Sequence, residues 1–252
     1  MRMPEPIPPV PPDLVEGALL LPDRDAILAL LPAGGSVVEV GVALGGFSRR
    51  LIAACRPASF TAIDDFRLHA LPLFWGHPPA HYFGEQTHGE WYRDAFGPEI
   101  DAGWMRVLEG DSAGQMETLP DASVDVFYID ADHTREGVLR DLEVAVRKIK
   151  PDGWLVLDDY VIVDQLESPI PYGVAHAAHE IMARHRWAMH YFALDKEMYC
   201  NVALRSAALP RPLQALRDEN AALRREVAVL RASTSWRIGA PLRALGRLIK
   251  RP

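Results

Sequence analysis

The sequence has only two cysteines in 252 residues, Cys55 and Cys200. That excludes a disulfide scaffold and points to a reducing compartment. No stretch approaches the ~18 uncharged apolar residues of a spanning helix. The opening MRMPEPIPPVPPD is rich in proline where a signal peptide needs an apolar helix. A cytoplasmic protein is therefore expected. No GxGxxG fingerprint occurs, which speaks against a dinucleotide site. At 49% hydrophobic and 24% charged residues the chain shows no bias toward disorder or collagen-like repetition. Its net charge of −7 conceals an asymmetry. From Arg211 to Pro252 ten Lys and Arg face three Asp and Glu, a net of +7, so the rest carries −14. An acidic body argues against a nucleic-acid substrate, and a basic tail suggests a second task.

Residues 1–12 hold six prolines, and 1–22 reads as an extended leader. A short helix is expected over Asp23–Leu31, ended by Pro32. Strand then alternates with helix. Strands are expected at Ser36–Val40, Phe60–Ile63, Met105–Leu108, Val124–Ile129, Trp154–Leu157, 187–194 and 198–204. Helices are expected at 46–55, 136–149 and 172–185. This rhythm predicts an α/β domain over 23–206 with a doubly wound, mostly parallel, seven-stranded Rossmann-like sheet. The stretch 66–104, with Trp75, His77, His81, Tyr82, Phe83, His88, Trp91 and Tyr92, interrupts it. Such an insertion forms either a lid or substrate wall at a site, or a satellite hydrophobic cluster. Farther on, Leu213, Leu216, Asn220, Leu223, Val227 and Leu230 step by three and four, a short coiled coil over 211–232. Residues 233–252 alternate Ile and Leu with Arg and Lys behind Trp236, the pattern of a basic amphipathic helix at an anionic membrane surface.

Chemistry concentrates at the strand ends. The first long strand runs into Glu39-Val-Gly41-Val-Ala43-Leu-Gly45-Gly46, a glycine turn opening a helix. Glycines there allow close backbone approach to a ligand. Glu39 would repel a pyrophosphate but suits a cation such as the ammonium and sulfonium of S-adenosylmethionine. The second strand ends in Asp64-Asp65, placed for ribose hydroxyls. The fourth ends in Tyr128-Ile-Asp130-Ala-Asp132-His133 and the fifth in Leu157-Asp158-Asp159-Tyr160. Asp130, Asp158 and Asp159 would crowd together, which a Mg²⁺ or Mn²⁺ ion relieves. Helix capping and turn chemistry are the structural alternative for these acids.

With VEVGVALGGFS, IDD, EGDS, YIDADH and KPDGWLVLDDY in this order, residues 25–205 resemble class I S-adenosylmethionine-dependent methyltransferases, most of all the bacterial metal-dependent sugar O-methyltransferases. The resemblance implies that Glu39, Gly41 and Gly45 hold the methionine part of the cofactor. It implies that Asp64 binds the ribose and that Asp111 and Ser112 lie by the adenine. Asp130, Asp158 and Asp159 match the family's metal ligands. Ala43 stands where a glycine is common, and many relatives carry histidine in place of Asp158.

An alcohol acceptor of pKa near ~16 needs a proton acceptor close by. His133 suits that role through its ordinary pKa near ~6.5, and Asp132 is the other candidate, from the related sugar enzymes. The expected function is O-methylation of a sugar hydroxyl in bacterial surface polysaccharide or glycan assembly. The alternatives are a small-molecule O-methyltransferase of secondary metabolism and a non-catalytic scaffold on the same fold. The Ser233–Arg243 run resembles a segment found after coiled coils in polysaccharide enzymes, and favours the first. Expected partners are a glycan acceptor, a second copy or another helix at the coiled coil, and the inner membrane face through the tail.

Overall fold

The computed structural model describes residues 6–164, 170–194 and 199–232. The chain divides into two compact units, Met1–Leu209 and Pro210–Pro252. The strands are β1 (Leu19–Leu21), β2 (Ser36–Val40), β3 (Ser59–Asp64), β4 (Met105–Glu109), β5 (Val124–Ile129), β6 (Ile149–Leu157), β7 (Val163–Asp164), β8 (Ile170–Pro171), β9 (Trp187–Leu194) and β10 (Cys200–Ser206). The helices are α1 (Arg24–Leu28), α2 (Gly46–Cys55), α3 (Ala80–Phe83), α4 (His88–Ala95), α5 (Gly97–Asp101), α6 (Ser112–Glu117), α7 (Arg135–Lys148), α8 (Val174–His185) and α9 (Pro212–Ala232).

The main sheet runs β1-β9-β10-β6-β5-β2-β3-β4, with β10 antiparallel to both neighbours and every other pair parallel. The helix–strand rhythm of the sequence is realised, but the sheet has eight strands, not seven. The addition is β1, whose Leu19, Leu20 and Leu21 pair with Tyr191, Phe192 and Ala193. Residues read as a leader thus supply an edge strand, and Leu14 just before it is fully buried. Three residues are too few to show a period, so the partner strand decides their conformation.

The central strands are apolar on both sides because helices cover both faces. Successive residues alternate between two core layers. Val38, Phe127 and Leu155 pack with Leu142 and Ile181, whereas Val37, Val126 and Val156 pack with Leu51 and Phe60. β6 begins at Ile149, earlier than the expected 154, and its register with β5 shifts between Val124 and Val126, which accommodates Pro151. Order reverses between β2 and β5. From β2 the chain winds outward to β3 and β4, then returns to β5 on the other side of β2. A crevice at the carboxyl ends follows from that reversal.

The second unit contains α9, a helix of 21 residues. Leu216, Leu223, Val227 and Leu230 are exposed along it. A helix alone does not make a coiled coil, which needs a second one against that seam. The basic amphipathic segment 233–252 lies outside the described residues. No helix among the described residues is long and apolar enough to cross a membrane.

Candidate active site

A cleft of about 1120 Å³ opens over the crevice and takes in the ends of β2, β3, β5 and β6. Gly41 lies at its floor with φ +82°. A Cβ there would stand 1.8 Å from the Asp130 carbonyl oxygen. Gly45, φ +66°, would press a Cβ to 2.6 Å from the Phe96 ring. Both glycines are thus demanded by the protein's own packing. Of the two, only Gly41 lines the cleft.

Glu39 is buried, 1% exposed, one residue before the end of β2. Burial pushes its carboxyl well above the usual range; the Ser48 hydroxyl opposes this, and the charges of Asp130 and Asp64 add to it. Its Oε2 has no hydrogen-bond partner among the described residues. A buried acceptor without a donor is costly unless a donor or cation reaches it. Asp64 holds the turn itself. Its Oδ2 accepts from the Val42 N–H at 2.8 Å and its Oδ1 from the Phe66 N–H at 2.7 Å. Asp65 beside it is exposed and also lines the cleft. Asp111 caps α6 through the Gly114 N–H and pairs with Arg140 at 2.8 Å. The Ser112 hydroxyl donates to Asp141 at 2.6 Å. Asp111 and Ser112 both line the cleft.

The acids at the ends of β5 and β6 do not all turn the same way. The described residues group Asp130, His133 and Asp159, with one ligand atom of each within 4.8 Å of the others. His133 Nε2 lies 3.2 Å from Asp130 Oδ1 and 3.3 Å from Asp159 Oδ2. Its ring stacks on Tyr172, centroids 4.5 Å apart. Burial pulls the imidazole pKa down, but the hydrogen bond and charge of Asp130, with Asp159 and Asp158, outweigh it and raise the value. Asp159, at φ +50°, is pushed up to about 7 by burial and by its carboxylate neighbours. Asp158 turns away. Its Oδ2 accepts from Arg24 at 3.0 Å and from the Tyr128 hydroxyl at 2.7 Å, and its Oδ1 from the Asp159 N–H. Burial and then Asp130 push it up to about 6. Of the three aspartates expected together, Asp130 and Asp159 converge on His133, and Asp158 lies in the same cleft with its oxygens bonded to Arg24, Tyr128 and the Asp159 N–H. Asp132 is exposed at the cleft rim and accepts from the Thr134 N–H at 2.8 Å; Thr134 is the N-cap of α7.

Both expectations for 66–104 hold in part. Phe66, Phe83, His88, Tyr92 and Phe96 are buried, and His88 Nε2 meets the Ala43 carbonyl at 2.6 Å, so they buttress the glycine turn. Leu73, Phe74 and Trp75 wall the cleft instead. Phe74 and His77 exchange backbone hydrogen bonds around a tip of Trp75 (φ +45°) and Gly76 (φ +76°), and the indole is 65% exposed. Arg24 carries no local signal that it reaches Asp158, 134 positions away. Tyr128 was readable in principle, because a phenol in a buried strand needs a partner.

Residues 38–160 match the family model described as a methyltransferase domain, a span running from β2 to the loop after β6. No curated protein gives a significant match. Among solved structures, a Klebsiella pneumoniae protein assigned as an O-methyltransferase is 16% identical, with 73% of this chain and 79% of that one covered and a TM-score of 0.51. Cofactor-bound Rv0187 from MTB is 18% identical, with coverage of 72% and 78% and a TM-score of 0.50. A SAM dependent methyltransferase from Aquifex aeolicus is 16% identical, with coverage of 76% and 90% and a TM-score of 0.49. At these identities the likeness is one of fold.

Proposed function

We propose, from the match of residues 38–160 to a methyltransferase-domain model, that the chain transfers a methyl group from S-adenosylmethionine to a sugar hydroxyl with the help of a divalent ion, in bacterial surface polysaccharide or glycan assembly. The observation that carries this reading is the sharing of one cleft by the glycine turn, the acids after β3 and the Asp130–His133–Asp159 group. Its volume is at the upper end for small-molecule pockets, room for a cofactor and an acceptor together.

Glu39 would receive the cofactor's ammonium, with Gly41 and Gly45 shaping the turn around the methionine part. Asp64 fixes that turn and, with Asp65, would present oxygens to the ribose hydroxyls. Asp111 and Ser112 would border the adenine. When bound, S-adenosylmethionine supplies an electrophilic methyl and a thioether leaving group. When bound at the acidic group, Mg²⁺ or Mn²⁺ lowers the pKa of a hydroxyl near it. Because the leaving group is good, the chain's main work is to hold the acceptor in line. His133 or Asp132, both in the turn after β5, would take the acceptor's proton. The wall of Leu73, Phe74 and Trp75 offers an apolar face on which a sugar ring can stack. The polysaccharide-enzyme-like run at 233–243 supports a glycan acceptor over a small secondary metabolite.

The test is methyl transfer. Full-length protein is incubated with methyl-labelled cofactor, Mn²⁺ and a panel of bacterial glycans beside catechol and phenolic acceptors. Label on a sugar hydroxyl supports the reading, and label confined to the phenols overturns the substrate class. Calorimetry on Glu39→Gln accompanies it. A charged hydrogen bond is worth ~1.5–3 kcal/mol, so cofactor affinity falls roughly 10- to 150-fold. An unchanged affinity removes Glu39 from the site.

A further inference from the structure

Three donor atoms converge in the cleft, and one of them is nitrogen. Asp130 and Asp159 each place a carboxylate oxygen against His133 Nε2, at 3.2 and 3.3 Å. The imidazole is held for that position by its stack on Tyr172 and by the bond from the Gly173 N–H to the His133 carbonyl, 2.7 Å. Gly173 packs so tightly on α7 that a Cβ would stand 2.0 Å from the Arg135 nitrogen. Asp158 is 4% exposed, and both its oxygens are engaged, Oδ2 by the Arg24 guanidinium and the Tyr128 hydroxyl and Oδ1 by the Asp159 N–H.

Resting on the metal-assisted reading above, we propose that the ion is ligated by Asp130, His133 Nε2 and Asp159, with Asp158 outside the coordination sphere, and that the site therefore selects Mn²⁺ over Mg²⁺. Imidazole nitrogen suits borderline transition ions, whereas Mg²⁺ strongly prefers oxygen. With Nε2 committed to an ion, His133 could not serve as the base, and Asp132 would take the acceptor's proton. Asp158 then works with Arg24 and Tyr128 as a support beneath Asp159, whose N–H it binds.

The test is pulsed electron paramagnetic resonance on the full-length protein loaded with Mn²⁺ alone. Modulation from a directly bound ¹⁴N is expected in the wild type and in Asp158→Asn, and its loss in His133→Gln, with Mn²⁺ still bound more weakly. Excess Mg²⁺ should displace the bound Mn²⁺ only poorly. Bound Mn²⁺ without nitrogen modulation in the wild type overturns the inference and leaves the metal-assisted reading standing, as does loss of Mn²⁺ binding in a folded Asp158→Asn. Failure of the wild type to bind Mn²⁺ overturns both, while cofactor calorimetry still reports on methyl transfer.

Discussion

Asp141 is the buried acid that the mechanism does not use. It is fully buried, accepts from Ser112, and its Oδ2 has no partner among the described residues. Burial pushes its pKa up to about 6. An unfolded aspartate releases its proton near ~4, so between those values the folded chain binds more protons and stability falls as pH rises; above pH 6 the penalty is constant. Asp141→Asn removes the ionisation and keeps an acceptor for Ser112. The stability of the variant relative to wild type should therefore rise by about 1–3 kcal/mol from pH 4 to pH 7. Urea melts of both proteins across that range check it, and parallel curves would show that Asp141 ionises freely. Asp64 makes a related point. Its two backbone bonds were not part of the ribose assignment, so replacing it disturbs the turn as well as any ligand.

At the scale of elements, the segment before α1 belongs to the fold. Its turn Pro12–Leu14 precedes β1, and Leu14 packs in the same layer as Val38 and Ile181. Deleting the buried atoms of a leucine costs about 2–5 kcal/mol. Leu14→Ala should lose that amount in urea denaturation with an unchanged slope. A loss under ~0.5 kcal/mol, the scale of a surface change, would return these residues to the status of a leader. The His179 ring adds a tie in the same region, bonded to the Pro8 carbonyl at 2.7 Å and to the Tyr160 hydroxyl. The glycine turn is an element-scale feature too. Its sequence spacing suggests ligand approach, yet Gly41 and Gly45 are required first by the Asp130 backbone and the Phe96 ring.

At the scale of the whole molecule, we propose that α9 pairs with a second copy of the chain. A pairing through Leu216, Leu223 and Leu230 with Asn220 would favour a dimer in one register, at some cost in stability. Three heptads are marginal, so Leu223→Glu should suffice to dissociate it. Light scattering after gel filtration should give a dimer mass for the full chain and a monomer mass for the variant, with cofactor affinity unchanged. A monomeric wild type would leave the helix to another partner.

The alternation of strand and helix was legible because runs such as Ser36–Val40 and Val124–Ile129 carry their burial in their composition. The acids at the strand ends could be placed at one edge from chain order alone, since a parallel sheet brings its carboxyl ends together. The direction each carboxylate takes could not be read. Asp158 and Asp159 are adjacent and chemically equal, yet Arg24, far off in sequence, holds an oxygen of the first while an oxygen of the second meets His133. Likewise β1 exists because β9 offers an open edge, and nothing within Leu19–Leu21 encodes that. Local pattern specifies which elements form; long-range partners specify where an edge strand docks and which oxygen faces the cleft, because those choices depend on groups that meet only once the chain has folded.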